Sequence, residues 1–316
     1  MKSIYPICAS TFRKWCKSNS KYEQIYNSLG KPKPFDVSLR DGLQGLTKEQ
    51  QKNVLVNDKL IIYEDIVKNH EVTNIEVGSL VSKNVLPIFQ DSISLLRYLN
   101  NKQQNSNERN HFILVPNNEK LNTVINIPGV NKFSFITSVS NSFQLKNTKM
   151  SLKDTDNEIF TMLYNLDENN NQKKKAYIKL YVSCVTECPI EGKIDNDFIV
   201  NRLLTLNKME VDNICISDTC GTLEIDDFEY IVDTCKFFGL PMTKLSLHLH
   251  VKPEREKIVE TIIYKALERN ITNFDVSVLE NGGCSVTMEK SNLCPNLSYN
   301  LYYKCLVNYI LKKTNI

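Results

Sequence analysis

Leu245-Ser246-Leu247-His248-Leu249-His250 holds two of the chain's four histidines, two positions apart in a run that alternates apolar and polar residues. That period signals a strand, and side chains at i and i+2 of a strand leave from one face, so the two imidazoles project together. Two convergent imidazoles on a rigid element make half of a divalent-metal site. Asp41, in Leu39-Arg40-Asp41-Gly42-Leu43-Gln44, is the candidate carboxylate to complete it. Metalloenzyme chemistry is therefore expected. Arg40, Glu76, Asp218 and Cys284 are further reactive groups, each with a bland alternative: Asp218 can cap a helix, Arg40 and Glu76 can pair structurally, and Cys284 can be inert packing.

The elements that must position these groups recur along the chain. Strand-like runs fall at 35–39, 74–77, 111–115, 132–137, 177–182, 214–217, 245–250 and 274–278, separated by segments of helical period. The clearest helical segment sets Val259, Ile262, Ile263, Ala266 and Leu267 on one face, with Glu254, Arg255, Lys257 and Glu260 largely on another. Alternation of this kind predicts a single (β/α)8 barrel, with residues 1–33 as a short N-terminal extension, the barrel over 34–316, and a truncated C-terminus. A doubly wound sheet would carry a Gly-rich turn after its first strand, and none is present. In a barrel, Arg40, Asp41, Glu76, Asp218, His248, His250 and Cys284 all fall at strand ends and so on one rim. The polar loops 100–110 and 167–175 precede strands and belong at the opposite face.

At 316 residues and 41% hydrophobic content the chain can bury a large core. The 39 basic and 36 acidic residues are interspersed, leaving a net charge of +3 with no dense basic block, which argues against nucleic-acid binding. No apolar run is long enough to span a bilayer, and mean hydropathy is −0.31. Ten scattered cysteines without a secretory signal indicate a reducing compartment, with a cytoplasmic location expected and the mitochondrial matrix as the alternative. Cys184 and Cys188 have a C-x3-C spacing, but no second Cys/His pair accompanies them to make a zinc site. The first thirty residues contain one acid, Glu23, a balance also found in transit peptides. An ordered amphipathic extension using Phe12, Trp15, Ile25 and Leu29 is the preferred reading.

Asp36-Val37-Ser38-Leu39-Arg40-Asp41-Gly42-Leu43-Gln44 resembles the opening signature of the DRE-TIM metallolyase superfamily. Within it, the chain is most similar to the 3-hydroxy-3-methylglutaryl-CoA lyase family. The resemblance continues through Ile75-Glu76-Val77-Gly78-Ser79-Leu80-Val81-Ser82, Tyr181-Val182-Ser183-Cys184, Cys188-Pro189-Ile190-Glu191-Gly192-Lys193, Ser217-Asp218-Thr219-Cys220-Gly221, the histidine pair and Gly282-Gly283-Cys284. It implies metal ligation by Asp41, His248, His250 and an Asn following the cysteine loop. Asn296 is chosen for that ligand, with Asn292 as the alternative. A mixed O/N shell with open positions suits Mg²⁺ or Mn²⁺.

The implied reaction is retro-aldol (Claisen-type) cleavage of a 3-hydroxyacyl-CoA, most similar to conversion of 3-hydroxy-3-methylglutaryl-CoA to acetyl-CoA and acetoacetate. In it Arg40 faces the developing enolate oxygen, Glu76 orients Arg40, Gln44 contributes with Arg40 to substrate binding, His248 or Asp218 takes the hydroxyl proton, and Cys284 protonates the enolate carbon. Partners implied are a small acyl-CoA and a second copy in a homodimer. The chain departs from the family pattern at Val251-Lys252-Pro253-Glu254, at Ser285 and at Thr222 to Glu224. Two alternatives therefore stand beside the lyase: another superfamily reaction, such as acetyl-CoA/2-oxo acid condensation or aldol cleavage of a different hydroxy acid, and an inactive barrel that serves as a binding protein.

Overall fold

Eight segments rich in β-branched and aromatic residues pair in parallel. They are β1 (Phe35–Asp36), β2 (Asn74–Ser79), β3 (Asn110–Leu114), β4 (Lys132–Ser138), β5 (Tyr177–Ser183), β6 (Asn213–Asp218), β7 (Leu245–Leu249) and β8 (Asn273–Val276). Each pairs with its neighbour in sequence, and β8 closes on β1, so the sheet is a complete barrel. The computed structural model describes residues 8–70, 72–102, 109–168, 175–283, 285–289 and 292–314.

Around it lie α1 (Ala9–Lys17), α2 (Ser20–Ser28), α3 (Lys48–Asn53), α4 (Val56–His70), α5 (Ser92–Lys102), α6 (Asn118–Leu121), α7 (Asn141–Thr148), α8 (Leu152–Glu168), α9 (Asn196–Asn207), α10 (Ile225–Phe237), α11 (Glu256–Glu268) and α12 (Tyr299–Thr314). The architecture is the expected (β/α)8 barrel. Val259, Ile262, Ile263, Ala266 and Leu267 of α11 are all buried, as their periodicity predicts. Among the described residues no helix is long and apolar enough to cross a membrane.

Strand alternation splits the apolar residues in two. Ile178, Leu180 and Val182 of β5, like Ile214 and Ile216 of β6, join the large core between sheet and helices. The alternate positions form small clusters of their own, Phe35, Val37 and Phe112 in one and Leu114, Tyr181 and Cys215 in the other, inside the barrel. The N-terminal helices dock on α12 through Phe12, whose ring lies 5.2 Å from those of Tyr303 and Tyr26. Trp15 stacks on Tyr22 at 4.7 Å.

The first strand differs from expectation. It stops at Asp36, and Ser38–Gly42 forms a π-helical turn. Asp36 explains this, because its carboxylate accepts hydrogen bonds from the Ser38 N–H and hydroxyl, both at 2.9 Å, a local bond that competes with the sheet ladder. Tyr299 of α12 donates a third, at 2.7 Å.

Burial outweighs those donors and moves Asp36 up from 3.8 to about 7. The folded state therefore holds the proton more tightly than the unfolded chain. Its stabilising contribution is complete below about pH 4 and is lost as pH rises through about 7. Urea denaturation of the wild type and Asp36→Asn across that range should show the wild type's relative stability falling with pH, by at most about 1.4 kcal/mol per pH unit. A pH-independent difference contradicts the raised value.

Candidate metal centre

In the parallel register of β6 and β7, Ser217 is level with His248 and Asp218 with Leu249. One residue further, His250 pairs backbone to backbone with Asn296. The π-turn after β1 brings Asp41 to the same place, although it lies more than two hundred positions earlier in the chain. Its Oδ2 is 3.4 Å from His250 Nε2 and 3.8 Å from His248 Nε2. The three donor atoms lie within 4.8 Å of one another, all in buried residues. The imidazole centroids are 4.9 Å apart with their planes at 90°.

The far side of each ring is held by an acceptor. His250 Nδ1 lies 3.0 Å from the Asp218 carbonyl, and His248 Nδ1 lies 3.1 Å from Asp275 Oδ2. A carbonyl or carboxylate can only accept, so each ring donates from Nδ1, and in its neutral form turns its Nε2 lone pair toward Asp41. Burial opposes ionisation of Asp41, but Arg40 and the two imidazoles override it and hold the carboxyl well below its ordinary range. Burial lowers His248, whereas for His250 the Asp41 contact wins over burial and raises it.

Asn296 fits the set on an independent observation. Its Nδ2 donates to the Asn281 carbonyl at 3.2 Å, while its Oδ1 is buried with no hydrogen-bond partner among the described residues. An orphaned buried acceptor beside His250 is chemically suited to serve as a fourth ligand. Asn292, by contrast, is exposed. The first glycine of the Gly-Gly pair is needed for space: a Cβ on Gly282 would come within 2.6 Å of Asn296 Nδ2. Gly283 has φ +91°, a left-handed conformation, and its N–H donates to Asp41 Oδ2 at 2.9 Å. Cys284 itself lies outside the described residues.

Arg40 is fixed on two sides. Its Nε donates to Glu76, its Nη1 donates to Asp41 Oδ1 at 2.6 Å, and its guanidinium lies 4.8 Å from the centre of the Tyr181 ring. Tyr181 in turn donates its hydroxyl to Glu76 Oε2 at 3.1 Å. Burial disfavours the Arg40 charge, yet Glu76, Tyr181 and Asp41 raise it well above its ordinary value. β2 runs past Glu76 to Ser79, so this carboxylate sits below the rim instead of ending its strand.

Asp218 behaves differently from the other rim residues. Both carboxylate oxygens accept backbone N–H groups, from Thr222 at 2.9 Å and Leu223 at 3.2 Å, and its carbonyl is what reaches His250. Burial moves its pKa up. Arg40, Asp41, Gln44, His248 and His250 line one cavity of about 460 Å³, whose walls include Leu114, Ile136, Phe143 and Val286. The Gln44 carbonyl accepts the Ser285 hydroxyl at 2.9 Å, tying the post-β8 loop to the post-β1 segment. Among the described residues only Asp41, His248 and His250 form a cluster of metal-ligating types, so Cys184 and Cys188 make no second centre.

Two groups were invisible as site residues in the sequence, Lys179 on β5 and Asp275 on β8. The available signal was a charge at an alternate position of a strand flanked by apolar residues.

A family model described as HMGL-like matches residues 31–253. The chain belongs to the HMGL-like family. With this family go membership of the DRE-TIM metallolyase superfamily and the carbon–carbon lyase class. The chain is 25% identical over 252 residues to a hydroxymethylglutaryl-CoA lyase of Pseudomonas mevalonii, covering 80% of this chain and 77% of that one. It is 26% identical over 254 residues to the mitochondrial hydroxymethylglutaryl-CoA lyase of Bos taurus, covering 80% and 72%. In fold it is similar to the hydroxymethylglutaryl-CoA lyase of Pseudomonas aeruginosa, with a TM-score of 0.74 at 22% identity over 88% of this chain and 86% of that one. It is similar too to an HMG-CoA lyase from Acinetobacter baumannii in complex with coenzyme A and 3-methylmalate, with a TM-score of 0.72 at 21% identity over 90% and 84%. The HMGL-like match ends at residue 253, before β8 and its loop.

Calorimetric titration of the chain with Mn²⁺ should register one tight site. Asp41→Asn and His250→Gln should weaken it by at least about 100-fold and Asn296→Ala by about 10-fold, with Asn292→Ala unchanged. Loss at Asn292 and not at Asn296 reverses that assignment.

Proposed function

We propose that this HMGL-like lyase cleaves 3-hydroxy-3-methylglutaryl-CoA, or a 3-hydroxyacyl-CoA closely like it, to acetyl-CoA and a 3-oxo acid. The observation that carries the reading is the convergence of a fixed guanidinium and the Asp/His/His cluster at one end of a cavity large enough for a small acyl thioester. Asp41, His248, His250 and Asn296 are assigned to hold a divalent cation, Mg²⁺ or Mn²⁺ by donor type. When bound, it supplies Lewis acidity to the tertiary hydroxyl and a template for a neighbouring substrate oxygen.

The protein's own groups account for the rest. Cleavage needs an acceptor for the hydroxyl proton, and of the two candidates His248 keeps its Nε2 lone pair on the cavity, whereas both Asp218 oxygens are engaged by backbone N–H groups. We assign the proton to His248, whose Nε2 lone pair would serve either the cation or the proton and not both at once. Asp218 positions His250. As the C–C bond breaks, the hydroxyl carbon becomes a ketone and the electron pair passes to the thioester as an enolate. Arg40, with Glu76 and Asp41 using only Nε and Nη1, has Nη2 left for the enolate oxygen. Cys284 is assigned to return a proton to the enolate carbon, and Gln44 to bind substrate beside Arg40.

Purified protein with Mg²⁺ or Mn²⁺ should release acetoacetate from 3-hydroxy-3-methylglutaryl-CoA. At saturating Mn²⁺, Arg40→Met should lower kcat about a thousandfold. No acetoacetate under those conditions removes the substrate assignment, and thiol release from acetyl-CoA with a 2-oxo acid identifies a condensing enzyme instead.

A further inference from the structure

Lys179 and Asp275 are buried inside the barrel, 2% and 1% exposed, and form an ion pair beneath the cavity. Asp275 has so far been only the acceptor on His248 Nδ1, and Lys179 has no part in the chemistry above. Replacing a buried ion pair by apolar side chains of similar volume is often neutral or stabilising, so a barrel floor that needed only filling has no use for one.

The surroundings give these charges a direction. Lys179 Nζ lies 3.5 Å from the centre of the Phe35 ring and 4.8 Å from that of Tyr181, aromatic faces that accept its charge. With Oδ1 of Asp275 on Lys179, Oδ2 points up the barrel to His248 Nδ1 at 3.1 Å, with Cys215 Sγ 3.8 Å away.

We infer that Lys179 and Asp275 are positioning residues that set the tautomer of His248. Asp275 accepts the Nδ1 proton, which leaves the Nε2 lone pair aimed at Asp41, and Lys179 neutralises and orients that carboxylate. The tautomer fits His248 for ligation and for taking a proton alike, since both use Nε2. The inference concerns the metal-free protein and stands independently of the substrate assigned above.

Asp275→Asn makes a sharp test because the side chain keeps its shape. Lys179 has only donors and captures the amide oxygen, so the amide NH₂ faces His248 Nδ1. Nδ1 must then accept, and the ring proton moves to Nε2, into the metal centre. In ¹⁵N-histidine-labelled, metal-free chain, two-dimensional ¹H–¹⁵N spectra report which ring nitrogen carries hydrogen, with the His248 signal identified by its loss in His248→Gln. The wild type should show a protonated Nδ1, and Asp275→Asn a protonated Nε2 with Mn²⁺ affinity about 10–100-fold weaker. Lys179→Arg should retain the wild-type tautomer and affinity. A wild-type His248 protonated on Nε2 overturns the inference without any variant. So does a folded Asp275→Asn with tautomer and Mn²⁺ affinity unchanged.

Discussion

The site depends on one buried carboxylate. Asp41 is surrounded by Arg40 and the Nε2 atoms of two histidines, with the Gly283 amide closing the fourth side. A lone carboxylate at that depth would be strongly destabilising, and its ionisation is sustained by the guanidinium in direct contact together with the two imidazoles. Arg40 in turn needs Glu76 to balance a second flank, and Glu76 needs the Tyr181 hydroxyl. The site is thus a chain of compensated charges reaching from the turn after β1 across to β5.

Adjacent residues can both serve it because Asp36 ends the first strand early. In a continued strand Arg40 and Asp41 would point to opposite faces. The π-turn directed by the Asp36–Ser38 bonds puts both side chains on the cavity. That turn was not legible in the sequence, where Phe35-Asp36-Val37-Ser38-Leu39 looks like an uninterrupted strand; it arises from a side-chain bond that competes with the ladder. The eight strands and their alternation with helices were legible, since parallel barrels repeat one pattern and the histidine pair carries its own geometry. Asp218 lay at the expected strand end, but its side chain caps no helix, since Glu224 is the N-cap of α10; it accepts the Thr222 and Leu223 N–H groups of the intervening turn, and its carbonyl touches the site.

Lys179 escaped notice for a related reason. In a strand with one wet face, Ile178-Lys179-Leu180 signifies a solvated lysine. A closed barrel has no such face, and the alternate position looks inward. Polar residues such as Lys179, Asn213, Ser246 and Asp275 therefore share the interior with Phe35, Phe112 and Tyr181. The departure expected after the histidines is taken up by the backbone: Val251 donates its N–H to the Pro295 carbonyl at 2.8 Å, and Leu297 to that of Leu249 at 3.0 Å, which seats Asn296 beside His250.

Oδ2 of Asp41 is contacted at once by two imidazole nitrogens and by the main chain of the loop after β8. Of the three, only the Gly283 N–H is a donor whatever the protonation of the rings, so the loop holds Asp41 through one main-chain hydrogen bond. The loop after β8 is therefore pinned to the segment after β1 by a main-chain bond, which among substitutions at 283 only proline deletes outright.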